Sequence, residues 1–188
     1  SVNSPQVIQE LAQRMLQRGI LPELEVFDLG MVNYANYLLR KQIIPSPSYL
    51  NIILGNIAGA QCSLGHMAAM LQDIPANTLW SFGGIGAAQL SSVAVAIAMG
   101  GGVRIGLEDN LHLHGRLTTN RELLATVRAL AEIHGREIMS PAVAREKLGL
   151  GKHGRHPIPD NGRRQRTTLG TIPGGAQASS SDQRRAVA

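Results

Sequence analysis

The sequence predicts an α/β fold in which parallel strands alternate with helices, and three observations carry that prediction. Four short apolar runs, "ELEVFDLG", "LNIILGN", "LWSFGGIG" and "VRIGLEDN", each lead on to a stretch whose apolar residues recur at helical spacing. The runs are close to continuously apolar, the pattern of strands in a parallel sheet covered by helices. Polar residues and glycines gather where they end: Asp28, then Gly55 and Asn56, then Gly83, Gly84 and Gly86, then Glu108, Asp109 and Asn110. In folds of this class the C-terminal ends of the strands converge on one rim, and that rim carries the active site.

Taken in order, Ile8, Leu11, Ala12, Met15 and Leu16 mark one face of an opening helix, with Ser4 as N-cap and Pro5 in the first helical position. A turn at 19–22 leads into the first strand, which ends at Asp28, and Met31, Tyr34, Ala35, Leu38 and Leu39 return to helical spacing. The second strand is followed by the helical "LGHMAAMLQD", the third by "AAQLSSVAVAIAMG", and the fourth by a helix over about 120–135. That last helix opens with a capping box from Thr119 to Glu122, and Ser140 with Pro141 starts a short additional one.

Charge divides the chain in two. Residues 1–150 hold 11 Lys/Arg and 11 Asp/Glu, whereas 151–188 hold 7 and 2, so the formal net charge of +5 belongs to the tail. A neutral body, in a chain with 3% aromatic residues, lacks the basic, aromatic-bearing face of a nucleic-acid reader. The expectation is one domain over 1–150 with an aliphatic core and, over 151–188, a disordered basic tail rich in Gly, Pro, Ser and Arg. No run reaches the roughly 18 apolar residues of a membrane span, and "SVNSPQ" lacks a signal-peptide layout, so a cytoplasmic protein without membrane association is expected. The lone Cys62 reads as a small buried apolar residue.

The run "GGGVRIGLEDN" holds the densest chemistry. On a strand, Arg104, Gly106 and Glu108 share one side while Ile105, Leu107 and Asp109 take the other. A guanidinium among apolar residues needs a carboxylate or an anionic substrate group beside it. The residues alone leave both readings open: an ion pair from Arg104 to Glu108 or Asp109 that closes the sheet, or a site. The glycines of "SFGGIGAAQL" stand between strand and helix, where bare N–H groups could hold a phosphate or simply make a tight turn; they are short of a full dinucleotide fingerprint. His112 and His114 have the spacing of a metal pair on a strand, but they follow the carboxylates in a loop and read as exposed, unliganded imidazoles. His66 reads as a polar helix residue, and His153 and His156 belong to the tail.

Together "PELEVFDLGMVNYANYLLRKQII", "NIILGNIAGAQ", "WSFGGIGAAQL", "AIAMGGGVRIGLEDNL", "LTTNRELL" and "GREIMSPAVAREKLGL" resemble the β-keto acid cleavage enzymes over essentially 1–150. The resemblance implies a (β/α)₈ TIM barrel, of which four parallel βα units make the C-terminal half. It also implies a reaction in which a divalent metal, usually zinc, and acetyl-CoA convert a β-keto acid to acetoacetate and a new CoA thioester. By the same matching, Glu108 is the glutamate metal ligand, and Arg104 and Asp109 are the catalytic arginine and aspartate; the bare N–H groups between strand and helix make Gly84 and Gly86 the candidates for binding the co-substrate.

Two departures bear on these expectations. The family's other zinc ligands form an H-x-H pair on an early strand, which has no counterpart between Ser1 and the first strand; His112 and His114 stand elsewhere and do not replace it. Relatives carry an arginine or similar group after "GIG", where Ala87 stands, so contact with CoA phosphates is expected to weaken. The expectation is therefore a fragment, the C-terminal half of the enzyme, dependent on an N-terminal half or on homo-oligomer formation to close its open sheet edges. The alternative is a non-catalytic truncated remnant. A third reading, nucleic-acid binding through the basic tail, predicts salt-sensitive association lost on removing 151–188.

Overall fold

A computed structural model of the chain describes residues 3–151; the tail, with His153 and His156, lies outside the described residues. Elements run α1 (Pro5–Gln17), β1 (Glu23–Val26), α2 (Leu29–Arg40), β2 (Ser48–Leu54), α3 (Leu64–Gln72), β3 (Thr78–Gly84), α4 (Ala88–Ala98) and β4 (Gly102–Val103), then β5 (His112–Leu113), β6 (Arg116–Leu117), α5 (Asn120–Ile133) and α6 (Pro141–Lys147). The first four strands form one parallel sheet, as the alternating pattern predicts, and stand in the order β1-β2-β3-β4.

Capping chemistry sets most of the helix starts. Ser4, Asp28, Ser63 and Ser140 each accept from the backbone N–H three residues on, and Thr119 with Glu122 completes the capping box of α5. Helix α4 has Ala87 at its N-cap and no side-chain cap.

The core lies on one face of the sheet. Val26, Leu50, Ile52, Leu54 and Phe82 point there and bury Val32 and Ala35 of α2, Met67 and Met70 of α3, and Ala96 of α4. A second cluster seats α1 on α2 through Ala12 and Leu38, and a third joins α4 to α5 through Val93, Ile97 and Val127. Arg136 secures the far end of α4 by donating to the carbonyls of Ile97 (3.0 Å), Gly100 (3.1 Å) and Gly101 (2.7 Å).

Three features differ from the sequence expectation. The fourth strand is two residues long; Arg104 still donates its backbone N–H to Phe82 (2.9 Å), but 107–109 fold into a turn. Next, "HLHGRL" is an antiparallel hairpin, β5 with β6, turned by His114 and Gly115 at φ 52° and 76°. The third is that β1 to β3 are not continuously apolar: their side away from the helices is mostly polar, with Ile53 and Leu79 as the apolar exceptions. Alternation places Glu23, Glu25, Tyr49, Asn51 and Ser81 on that side, where they hydrogen-bond or pair with charges.

Candidate active site at the ends of the strands

Arg104 sits just past β4, and three carboxylates surround it. Its Nη1 meets Glu25 Oε1 at 2.7 Å, Nη2 meets Glu108 Oε1 at 3.0 Å, and Nε meets Asp109 Oδ2 at 3.1 Å. Glu25 comes from β1, across the sheet, and is joined to Arg104 over a separation of 79 residues. The Asp109 side chain is 7% exposed, whereas that of Glu108 is 80% exposed. Desolvation by burial works to lower the Arg104 pKa, but the hydrogen bond and charge of Asp109 and the charges of Glu25 and Glu108 outweigh it, and the guanidinium is held above its ordinary value. A permanently charged, forked donor thus organises three anionic groups at one point.

The turn overrides the strand-face prediction for this run. With no strand beyond Val103, Glu108 and Asp109 do not take opposite sides; Asp109 and Asn110 both donate backbone N–H to Gly106 O at 3.3 Å, and the turn folds both carboxylates back onto Arg104. Three neighbours hold it. Buried Gln89 donates to Gly106 O (2.8 Å), Asn120 accepts from Leu107 N (2.9 Å), and Gly86 donates its N–H to Asp109 O (2.7 Å). Gln89 and Asn120 were not singled out from sequence, because each looks like an ordinary polar residue at the start of a helix.

Beneath this cluster the open side of the sheet carries a directed chain of hydrogen bonds. Tyr49 donates to Ser81 Oγ (2.9 Å), Ser81 to Asn51 Oδ1 (2.8 Å), and Asn51 Nδ2 to Glu23 Oε1 (3.1 Å). Burial pushes the Tyr49 phenol up; the hydrogen bond to Ser81 opposes this, Glu23 adds to it and Arg104 opposes it. Among the described residues every buried side-chain N or O atom has a partner. The alternating carboxylates in "ELEV" were the available clue to this polar face.

The two glycines expected to meet a co-substrate play different parts. At Gly84 a Cβ would stand 2.6 Å from Ala88 C and O, so the missing side chain lets α4 pack onto β3. Gly86 has φ +57° and open space where a Cβ would be, while its N–H is committed to Asp109. His112 and His114 are exposed, and His114 sits in the hairpin turn instead of sharing a strand face with His112. His66 is exposed, and its Nδ1 accepts from Gln61 N at 2.8 Å. Cys62 is half-buried, with Ser92 Oγ 3.5 Å from its sulfur.

Among the described residues no group of three or more His, Cys, Asp and Glu side chains stands close enough to hold a metal ion. A catalytic zinc takes three protein ligands and a water. The described residues therefore do not form a zinc centre by themselves, and Glu108 offers one exposed carboxylate at the rim.

The family model for beta-keto acid cleavage enzyme matches residues 1–150. The chain belongs to that family. It is 37% identical over 153 residues to 3-keto-5-aminohexanoate cleavage enzyme of Fusobacterium nucleatum, covering 80% of this chain and 56% of that protein. Against 3-dehydrocarnitine:acetyl-CoA trimethylamine transferase of Rhizobium meliloti it is 35% identical, covering 80% and 50%. A third relative, 3-oxoadipate:acetyl-CoA acetyltransferase of Cupriavidus necator, is 31% identical, covering 79% and 54%. The chain thus spans about half the length of the curated relatives it matches. Among solved structures, the ternary complex of ObcA with C4-CoA adduct and oxalate shares the fold, with a TM-score of 0.61 at 20% identity over 78% of this chain and 41% of that one. Within the described residues no helix of this family member is long and apolar enough to cross a membrane.

Proposed function

We propose that Arg104, Asp109 and Glu108 belong to the active site of a β-keto acid cleavage reaction, in which a β-keto acid and acetyl-CoA give acetoacetate and a new acyl-CoA. The observation that carries this reading is the convergence of Asp109 and Glu108 on Arg104 at 3.1 and 3.0 Å, on a turn held by Gln89, Asn120 and Gly86. Relatives named for acetyl-CoA transfer support the co-substrate.

In this mechanism Asp109 takes a proton from the carbon between the keto and carboxylate groups. The carbanion attacks the acetyl thioester carbonyl, a carbon–carbon bond forms, and CoA leaves as thiolate. The thiolate then attacks the original keto carbon. The old carbon–carbon bond breaks, the new thioester departs, and the acetoacetate carbanion takes the proton back from Asp109. Arg104 fixes the Asp109 carboxylate through Nε and supplies positive charge where the substrate carboxylate and developing oxyanions collect. Glu25 holds the far side of the guanidinium, leaving it one orientation.

A zinc ion, when bound, would polarise the keto oxygen; Glu108 is the ligand this chain would lend it. Gly86, with open space where a Cβ would be, is the glycine that would approach the co-substrate, and Gly84 would act by letting α4 pack onto β3 behind it. We further infer that the four βα units are half of a (β/α)₈ barrel, completed by an N-terminal half or another copy of the chain, in a cytoplasmic enzyme. The length relative to the relatives supports this, as does the pairing of β1 and β4 on one side only.

The experiment is to incubate the chain with acetyl-CoA, zinc and a panel of β-keto acids and to follow acetoacetate and new thioesters by mass spectrometry. Acetoacetate formation that falls about 100-fold or more in Asp109→Asn is the expected result. Absence of product from a chain that binds about one zinc, with that binding lost in Glu108→Ala, would overturn the reading; no zinc binding at all would favour a non-catalytic remnant.

A further inference from the structure

The turn that brings Asp109 to Arg104 is held at one peptide unit. Gly106 C=O and Leu107 N–H belong to the same trans peptide, so they point in opposite directions within one rigid plane. The carbonyl accepts from Gln89 Nε2 at 2.8 Å, and the N–H donates to Asn120 Oδ1 at 2.9 Å. Gln89 stands in the first turn of α4 and is 1% exposed, whereas Asn120 is exposed and opens α5. Neither side chain starts its helix: α4 has no side-chain cap, and Thr119 caps α5. Two helices thus clamp the plane at which the chain leaves β4 and turns back.

The clamp stands where charge would otherwise open the turn. One guanidinium faces the carboxylates of Glu25, Glu108 and Asp109, a formal excess of negative charge. Repulsion among them favours splaying the turn, and Asp109, with its side chain 7% exposed, would regain water by leaving. The other two donors to Gly106 O, Asp109 N and Asn110 N at 3.3 Å, lie within the turn and move with it. Gly86 N–H secures only the far end, at Asp109 O. Among the described residues, Gln89 and Asn120 are the side chains bonded to the peptide from which Glu108 and Asp109 swing.

We propose that Gln89 and Asn120 are positioning residues, an inference that rests on the cleavage reaction proposed above. They act through the Gly106–Leu107 peptide, which keeps the Asp109 carboxylate against Arg104 Nε in the geometry for taking the substrate proton. Asp109 remains the base, and neither amide touches the substrate.

The test uses the full chain and three substitutions. Gln89→Met removes the donor at similar volume, Asn120→Ala removes the acceptor, and Asn120→Asp keeps an acceptor oxygen that suits a helix N-terminus. Solvent exchange of the Arg104 Nε–H, followed by NMR, reads the placement of Asp109 without turnover. It should quicken about tenfold or more in Gln89→Met and Asn120→Ala, as in a local opening, and Asn120→Asp should restore the slow exchange. In the cleavage assay the first two should lose about tenfold in kcat with KM for the β-keto acid unchanged, and Asn120→Asp should recover the rate. Gln89→Met combined with Asn120→Ala should be little slower than either alone, because each frees the same peptide. If Gln89→Met loses its cooperative unfolding transition, the exposed Asn120 pair carries the same expectations. Unchanged Nε–H exchange in folded variants, Asn120→Asp as impaired as Asn120→Ala, or a raised KM at constant kcat would each overturn the proposal. Turnover separates the two readings. No acetoacetate from the zinc-loaded unaltered chain, with exchange quickened in the variants, removes the reaction and keeps the clamp. Turnover that the variants match removes the clamp and keeps the reaction.

Discussion

Gly83 packs against the side chain of Arg104: a Cβ at position 83 would stand 3.2 Å from Arg104 Cβ and 3.4 Å from its Cγ and Cδ. The glycine therefore sets where the guanidinium lies. Gly83→Ala would have to move Arg104 by a few tenths of an ångström, and because the nearest atom is its Cβ the shift passes to the backbone that carries the guanidinium. Turnover should fall about tenfold, since small displacements of catalytic groups are costly, while the urea midpoint changes by less than ~1 kcal/mol equivalent. Stability loss without a change in rate would show that Gly83 serves packing alone.

Its neighbour should behave in the opposite way. A Cβ at Gly84 would come within 2.6 Å of the Ala88 backbone, which cannot rotate aside. Gly84→Ala should lower stability by about 1–3 kcal/mol, the usual cost of overpacking, as read by urea unfolding.

Glu25 meets Arg104 at 2.7 Å, yet its side chain is 42% exposed. Solvent screening limits what such a pair adds to folding to about 1 kcal/mol or less. Glu25→Gln should therefore leave the melting temperature nearly unchanged and lower turnover by roughly tenfold, because the guanidinium loses its far anchor. Comparing melting curves with initial rates checks this prediction. A large stability loss with normal turnover would assign Glu25 to folding.

The capping box of α5 gives a pH dependence with a definite sign. Hydrogen bonds from Thr118, Arg116 and the Thr119 backbone lower the Glu122 pKa from 4.5 to about 2. A carboxyl group depressed on folding stabilises the folded state fully above its unfolded pKa and loses that contribution as pH falls through the folded one. The difference in melting temperature between the chain and Glu122→Ala should be constant above about pH 4.5 and vanish toward about pH 2. A difference that grows on acidification would contradict the assignment.

The helices and the strands were legible because their determinants are local. Ser4 with Pro5, Thr119 with Glu122, and Ser140 with Pro141 mark helix starts within a few residues. The apolar runs mark the strands. Three members of the cluster around Arg104 were legible, but not its geometry. Arg104, Glu108 and Asp109 stand together in sequence, yet whether they meet depends on where β4 stops, and "VRIGL" is apolar enough to pass for strand throughout. The stop comes from Gly106, whose carbonyl takes Gln89, Asp109 and Asn110 as donors, a tertiary arrangement that no short window contains. Glu25 was out of reach for the same reason. Its charge partner lies three strands away, and only the parallel register brings them together.

The account rests on Arg104 and Asp109 acting as one unit in proton removal. A double-mutant cycle on single-turnover acetoacetate formation, with Arg104→Gln, Asp109→Asn and the combination, tests this most directly. Residues that act together are strongly non-additive, so the double variant should be little slower than Asp109→Asn alone. Fully multiplicative losses, or an Asp109→Asn enzyme as fast as the unaltered chain, would contradict it.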